Sequence, residues 1–208
     1  MKTFWMIILA VGILSGYMLS QQYISADRRD NSIIIPIVAV NGDNGTIGNV
    51  TFSLVPGSGR VLLDSNPMID TDMQNTIIIS IAYAQQYSNR TFKDKDLIMD
   101  FDMPHEIIGG ISSGAAITIG IIALLEGKRI NGSIVLTGTI GPDGSIRRVG
   151  EIREKTLAVR NAGFNMFLVP SGQSRFRNQT YTLQEYFNNT IEVREVSHIE
   201  QAAKIIIE

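Results

Sequence analysis

The sequence predicts an α+β fold, and three observations lead to this prediction. Apolar runs rich in β-branched residues, such as SIIIPIVAV at residues 32–40, alternate with longer segments of helical periodicity. The strand-like runs cluster early, and the PGSG at residues 56–59 is interpreted as a hairpin turn between two of them. The 208 residues contain no cysteine, so one hydrophobic core must hold the domain together without disulfides. Strands and helices mixed in this order favour an α+β fold over a doubly wound sheet.

The N-terminus is predicted to be a signal peptide or a transmembrane anchor over residues 1–20. Its mostly apolar stretch, residues 4–19, is longer than a typical signal-peptide core and shorter than a full span of ~20 residues. An anchor is favoured because the weak cleavage site at residues 24–26 lies several polar residues beyond the apolar stretch. Residues 21–32 are predicted to be a linker and residues 33–208 the folded domain.

The asparagines predict an extracytoplasmic location. Six of the thirteen begin an Asn-X-Ser/Thr sequon, where chance would give about two. They are Asn44, Asn49, Asn89, Asn131, Asn178 and Asn188. The domain is therefore expected to be membrane-anchored outside the cytoplasm, or secreted if the leader is cleaved. The alternative is that the sequons are not glycosylated and arise only because the chain is rich in Asn and Thr.

The first half of the domain is predicted to contain strands on either side of one long helix. Strands are expected at residues 32–40 and 45–57, and again after the turn. The helix covers residues 70–88, with Asp70 or Thr71 as its N-cap, and DLIMDFDMP at residues 96–104 is the next strand. The acidic residues around that strand are interpreted as solvated: Asp94, Asp96, Asp100 and Asp102.

The second half is predicted to alternate helices and strands. Its elements are an apolar helix at 112–126 ended by Gly127, a buried strand at 132–140, a turn at 141–144, a short strand to Val149, a helix at 151–162 capped by Gly163, strands at 166–170 and 191–196, and a last helix from about His198.

No metal or other cofactor is predicted. HEIIGG at residues 105–110 begins like a zinc-protease motif, but Gly109 stands where the second histidine ligand is needed. His198 is interpreted as a surface or helix-capping residue. A serine-histidine enzyme that uses His105 is a third, weaker interpretation, which predicts loss of activity in His105→Ala. A net charge of −2 without a basic stripe argues against nucleic acid as a partner.

The segment GGISSGAA at residues 109–116 places Ser112 and Ser113 at the start of a predicted helix. A serine hydroxyl becomes a useful nucleophile only when a base takes its proton, and without a suitable histidine that base is a neutral lysine amine. Lys155 is the candidate, because burial lowers the pKa of an amine. Its helical neighbours are apolar: Ile152, Ala158 and Val159.

The run TGTIGPDGSIRRVGEIREKTLAVRNAG at residues 137–163, together with GISSG, PGSGRVLL and FLVP, resembles the proteolytic domain of Lon proteases, a Ser-Lys peptidase family. The resemblance extends from about residue 37 to the C-terminus and is greatest to the membrane-associated archaeal kind. It implies a fold of the ribosomal protein S5 domain 2-like type and acyl transfer on peptide bonds.

The resemblance also implies roles for individual residues. Ser112 keeps the family's spacing and is the nucleophile, and Lys155 is the base. Thr137 orients the amine, and Gly110 and Ser113 lie beside the oxyanion site. Three residues depart from the family pattern: Gly109, Ile111 and Glu151.

The predicted function is that of a serine endopeptidase acting on peptides or unfolded proteins. The sequence contains no Walker-type motif, so cleavage is expected to be independent of ATP. The resemblance makes a homo-oligomer, a hexameric ring, plausible. The three departures leave open an alternative, a catalytically silent domain of the same fold that binds peptides or proteins at the membrane.

Overall fold

The computed structural model describes residues 32–42, 44–64, 66–104, 107–175 and 180–208. Within these ranges the chain from Ile33 to Glu208 forms one compact unit. The predicted leader at residues 1–20 and nearly all of the predicted linker lie outside the described residues, so both stay predictions. None of the described helices is long and apolar enough to span a bilayer.

The fold mixes strands and helices. The described strands are β1 (Ser32–Asn41), β2 (Asn44–Pro56), β3 (Val61–Leu63), β4 (Met68–Ile69), β5 (Lys95–Asp102), β6 (Ile107–Ile108), β7 (Ile134–Leu136), β8 (Thr139–Ile140), β9 (Ile146–Arg147), β10 (Met166–Pro170) and β11 (Glu192–Val196). The described helices are α1 (Thr71–Ser88), α2 (Gly114–Glu126), α3 (Ile152–Asn161), α4 (Leu183–Tyr186) and α5 (Ile199–Ile206), and a 3₁₀ turn, Ile111–Ser113, precedes α2.

The larger sheet has the strand order β1-β2-β5-β3. β2 and β5 are antiparallel, with Asn49 opposite Asp102 and Pro56 opposite Lys95, whereas β3 runs parallel to β5. The hairpin predicted at residues 56–59 is therefore wrong, because β5 separates the two strands that the turn connects.

Asp96 explains this crossover. Its carboxylate accepts the backbone N–H groups of Ser58 (2.8 Å) and Arg60 (2.9 Å) and also the guanidinium of Arg60. These bonds anchor the turn on β5 and place β3 on the far side of that strand. Asp96 is 2% exposed, so its interpretation as solvated is wrong, and the hydrogen bonds from Arg60 hold the pKa of its carboxyl well below the usual range. The other three aspartates are exposed, as predicted: Asp94, Asp100 and Asp102.

Helices α1 and α2 form the main core with this sheet. α2 is buried from Gly114 to Leu125, because almost every side chain in it is small or apolar. A Cβ at Gly120 would clash with the ring of Phe52, so the glycine lets the helix approach β2 closely. Asp70 caps α1 by accepting the N–H of Met73 at 2.8 Å, one of the two capping residues predicted.

A second, parallel sheet has the order β11-β10-β7. The continuous strand predicted over residues 132–140 is wrong, since β7 ends at Leu136 and β8 begins at Thr139. The N–H of Thr137 still donates to the carbonyl of Leu168 in β10, but the Thr137 hydroxyl and the N–H of Gly138 both donate to the carbonyl of Ser112 in the turn before α2. The two residues between β7 and β8 therefore connect the second sheet to the candidate site.

The C-terminal elements largely follow the predictions. Gly163, with φ of +82°, follows the end of α3, and the ring of His198 caps α5 by accepting the N–H of Glu200. The short helix α4 was not predicted. Its signal was present in the sequence, because Thr182 and Glu185 have the spacing of a capping box and form one.

Candidate active site

The 3₁₀ turn that carries Ser112 begins at a glycine that its backbone requires. Gly110 has φ of +88° and ψ of 146°, a conformation that side-chain-bearing residues rarely adopt. The carbonyl of Ser112 then accepts two hydrogen bonds, from the N–H of Gly138 at 2.8 Å and from Oγ1 of Thr137 at 3.1 Å. The serine backbone is therefore fixed from two sides.

The two adjacent serines occupy different environments. Ser113 is 6% exposed, and its hydroxyl lies 3.8 Å from Sδ of Met73 in α1. Ser112 is half-buried at the surface. The hydroxyl of Ser113 lies against the core, and Ser112 is the more exposed of the two serines.

Close packing explains the small residues around this turn. A Cβ on Gly114 would lie 2.7 Å from Cγ2 of Ile140. A Cβ on Gly109 would clash with Oδ2 of Asp70, so the carboxylate that caps α1 also lies against the start of the serine segment. Sequence reasoning identified Asp70 only as a helix cap, because nothing local connects it to Gly109.

Backbone N–H groups at the start of α2 can stabilise an anion. The N–H of Gly114 is bonded to the carbonyl of Ile111, and that of Ala115 to the carbonyl of Gly138. Donors for an oxyanion would therefore come from residues 109–113, at the positive end of the helix dipole. The place of Gly110 and Ser113 beside an oxyanion site stays a prediction.

Lys155 lies in the first half of α3 and is 2% exposed. Its helix packs through Val159 and Ile152 on a smaller hydrophobic cluster beside the second sheet, whose members include Val135 and Phe167. Gly45 of β2 comes so close to the helix that a Cβ there would lie 2.8 Å from Cβ of Ala158. Burial lowers the pKa of the Lys155 amine to about 8, and the nearby carboxylate of Glu151 opposes this change. Among the described residues, no carboxylate forms an ion pair with this amine.

Glu151, one of the three departures from the family pattern, occupies a position whose backbone suits glycine. It has φ of +47° and ψ of 40°, the left-handed region, which costs a residue with a side chain about 1–2 kcal/mol. Its carbonyl accepts the N–H of Lys155 at 3.0 Å, so the first turn of α3 starts from this strained residue.

The structure brings some of the predicted site residues into contact. Ser112 and Thr137 are hydrogen-bonded, with the Thr137 hydroxyl donating to the Ser112 carbonyl. The predicted role of Thr137 in orienting the Lys155 amine, in which its oxygen would be the acceptor, stays a prediction. Within the described ranges, no hydrogen bond joins the hydroxyl of Ser112 to the amine of Lys155. The pairing of Ser112 with Lys155 therefore stays a prediction. His105 lies outside the described residues, so its interpretation stays a prediction.

A partly exposed serine and a desolvated lysine amine are the two kinds of group that serine-lysine acyl transfer requires. A family model of the Lon protease (S16) C-terminal proteolytic domain matches residues 18–208. The chain therefore belongs to that family.

Known relatives cover most of this chain but are much longer. Lon protease 2 of Sorangium cellulosum is 24% identical over 170 residues, which are 79% of this chain and 20% of that protein. The archaeal Lon protease of Archaeoglobus fulgidus is 23% identical over 176 residues, 85% of this chain and 26% of that protein. The Lon protease of Mycoplasma genitalium is 24% identical over 152 residues, 70% of this chain and 19% of that protein. The chain spans between about a fifth and a quarter of their length.

Proposed function

We propose that this protein is a serine endopeptidase that cleaves peptides or unfolded proteins through Ser112 and Lys155, without ATP. The observation that carries the proposal is the buried amine of Lys155. A lysine with a pKa of about 8 has an appreciable fraction of free base at neutral pH, whereas an exposed lysine has almost none. Membership of a protease family supports the same chemistry.

The reaction would proceed through an acyl-enzyme. The free amine of Lys155 takes the proton of Ser112 Oγ, and that oxygen attacks the peptide carbonyl. Backbone N–H groups of residues 109–113 stabilise the oxyanion, and the ammonium returns its proton to the leaving nitrogen. Water then attacks the ester, with the amine again acting as base, and frees Ser112.

ATP independence, location and assembly are further parts of the proposal. The proposed substrates are already unfolded, so their cleavage needs no ATP. We propose an extracytoplasmic domain attached by residues 1–20, of the membrane-associated archaeal kind, and a homo-oligomeric ring. The mass of the mature N-terminus tests the anchor, and light scattering of the purified protein tests the ring.

The decisive experiment is cleavage of an unstructured protein by the full chain in mild detergent, with and without ATP and magnesium. Ser112→Ala and Lys155→Met are expected to be inactive. Ser113→Ala is the matched control and is expected to cleave, because its hydroxyl contacts Met73 in the core. A serine-acylating probe should add its mass to the peptide that contains Ser112.

The outcomes separate the competing functions. Undiminished cleavage by Ser112→Ala would overturn the assignment of the nucleophile. Absence of cleavage in every form, combined with binding of the unstructured protein, would favour the silent binding domain. Loss of activity in His105→Ala with retention in Lys155→Met would favour the serine-histidine interpretation.

A further inference from the structure

Gln173 is a buried polar residue that lies outside the predicted site. It follows β10 and is 4% exposed. Its Oε1 accepts the N–H of Val149 at 2.9 Å, and its Nε2 donates to the carbonyl of Val149 at 2.8 Å. Val149 lies beyond the end of β9, so the amide satisfies the backbone of this residue in the way that a neighbouring strand would.

The turn that carries Gln173 is itself held by the second sheet. The N–H of Ser171 donates to the carbonyl of Val196 at 3.1 Å, and the N–H of Ser174 donates to the carboxylate of Glu195 at 2.9 Å. Both acceptors belong to β11, the strand that pairs with β10. The amide of Gln173 therefore projects from a turn that is fixed on both sides.

A second contact joins the same two segments of the chain. Arg148, the neighbour of Val149, donates from Nη1 to the carbonyl of Gly172, the neighbour of Gln173, at 3.0 Å. The side chain of Arg148 is exposed, so water competes for this bond, whereas the amide of Gln173 is buried. The buried amide is therefore the stronger of the two links.

The chain leads from Val149 directly into the helix that carries the candidate base. Gly150 separates Val149 from Glu151, whose left-handed backbone precedes α3. The carbonyl of Glu151 accepts the N–H of Lys155 at 3.0 Å. A residue with a side chain persists in the left-handed region only where the surrounding structure holds it there. The amide of Gln173 holds the chain before Glu151, and the first turn of α3 holds the chain after it.

Gly150 makes the hold on Val149 important. A Cβ at Gly150 would meet no atom within 4 Å, and glycine is the residue with the greatest backbone freedom. Without the bonds at Val149, the chain would be free to turn about Gly150 and to change the direction in which α3 starts. Lys155 lies in the first half of that helix and is 2% exposed, so a small rotation moves its amine relative to the core.

We propose that Gln173 is a positioning residue that acts through Lys155: its amide fixes Val149 and thereby the start of α3, which keeps the amine buried and in place for proton transfer. The inference rests on the proposed function, in which that amine is the base. The hydrogen bonds of the Gln173 amide go to Val149 and not to the amine, so the residue controls where the amine lies.

The first test follows the amine without using catalysis. In the full chain with Ser112→Ala in mild detergent, the rate at which acetic anhydride labels Lys155 is measured against pH by mass spectrometry of the labelled peptide. Gln173→Met keeps the length of the side chain and removes both hydrogen bonds. The amine should then reach water more often, so its labelling midpoint should move to higher pH, toward that of an exposed lysine.

The matched control replaces another glutamine whose amide bonds to the backbone. Oε1 of Gln201 accepts the N–H of Ser197 at 2.9 Å and its hydroxyl at 3.2 Å. Gln201→Met therefore also removes two hydrogen bonds, but neither of them involves the segment that leads into α3. Its labelling midpoint should stay at the value of the parent.

A milder pair of variants keeps the proposal testable if Gln173→Met does not fold. Arg148→Met removes the exposed bond to Gly172 and leaves the amide of Gln173 in place, so it should move the midpoint in the same direction by a smaller amount. Arg147→Met is the control for charge, because Arg147 is hydrogen-bonded to Ser145 instead. Equal midpoints in these two variants would contradict the proposal.

The second test measures cleavage with Ser112 present. Gln173→Met should lower kcat roughly tenfold and leave KM nearly unchanged, because the substrate still binds while the base is misplaced. The acid limb of the pH profile of kcat/KM should move to higher pH together with the labelling midpoint. A variant that is merely less stable contains less active enzyme, which does not move that limb, and Gln201→Met should keep both the limb and kcat.

The outcomes are distinguishable. An unchanged labelling midpoint in Gln173→Met would overturn the proposal, as would an equal shift in Gln201→Met or an unchanged kcat in Gln173→Met. Absence of cleavage in every form, the parent included, would overturn the proposed function. The labelling midpoints would then still decide whether Gln173 holds the amine of Lys155 in place.

Discussion

Thr137 and Ser112 are joined by a hydrogen bond from the threonine hydroxyl to the serine carbonyl, 3.1 Å long. Gly138 donates to the same oxygen at 2.8 Å. The Thr-Gly pair therefore does more than break a strand: it fixes the backbone of the candidate nucleophile to the second sheet. A bond of this kind makes the position of Ser112 depend on a residue that is distant in sequence.

The first prediction concerns this bond. Thr137→Val keeps the volume of the side chain and removes the donor, so we expect kcat to fall roughly tenfold and the free energy of unfolding to fall by about 1 kcal/mol. Thr137→Ser keeps the hydroxyl and should retain most of the activity. Urea denaturation and single-turnover cleavage provide the two measurements, and equal kcat values for Val and Ser would contradict the role of the bond.

The second prediction concerns Gly110. Because Gly110 has φ of +88°, Gly110→Ala should lower the free energy of unfolding by about 1–3 kcal/mol, although no atom within 4 Å would obstruct the new methyl group. Gly132→Ala is the matched control, because that glycine has equally open surroundings and no positive φ; its effect should stay within about 0.5 kcal/mol. Equal stability of the two variants by thermal unfolding would show that the turn can relax.

The third prediction follows from the buried amine. The pKa of Lys155 is lowered from 10.5 to about 8, so below pH 8 the folded protein holds a buried charge that the unfolded chain keeps in water. Stability should therefore rise as the pH increases from 8 toward 10.5, where the unfolded chain binds the extra proton.

Substitution of the amine measures this cost directly. At pH 7, Lys155→Met should be more stable than the parent by about 3 kcal/mol, because each pKa unit corresponds to about 1.4 kcal/mol. The gain should shrink as the pH approaches 10, and urea denaturation at both pH values checks it. A gain that does not change with pH would mean that packing, and not the charge, distinguishes the two side chains.

The fourth prediction concerns Thr139, whose Oγ1 is buried and lacks a hydrogen-bond partner among the described residues. A buried polar group without a partner destabilises a protein, so Thr139→Val should raise the free energy of unfolding by about 1 kcal/mol. Thr139→Ser keeps a hydroxyl without a partner and should not raise the free energy of unfolding. A loss of stability in the valine variant would reveal an ordered water on that hydroxyl.

Most of the secondary structure could be predicted from local pattern. Alternating and β-branched runs predicted β1, β2, β5 and β10, and Asp70 and Gly127 marked the ends of helices by capping chemistry that is local in sequence. The errors arose where distant groups compete for the backbone. Residues 56–59 do not form a hairpin because their turn is hydrogen-bonded to Asp96 of β5. The strand predicted over residues 132–140 is broken where Thr137 is hydrogen-bonded to Ser112.

For the candidate site, the sequence by itself determined the residue types and their spacing, because the motif around Ser112 and the run from 137 to 163 are contiguous in the chain. Only the tertiary structure decided which serine is buried, since the hydroxyl of Ser113 lies against Met73 in α1. Burial, which lowers the pKa of Lys155, is likewise a property of packed elements and not of neighbours in sequence. The left-handed backbone at Glu151 is also decided by the tertiary structure, because a dihedral angle depends on the contacts that hold both ends of the turn.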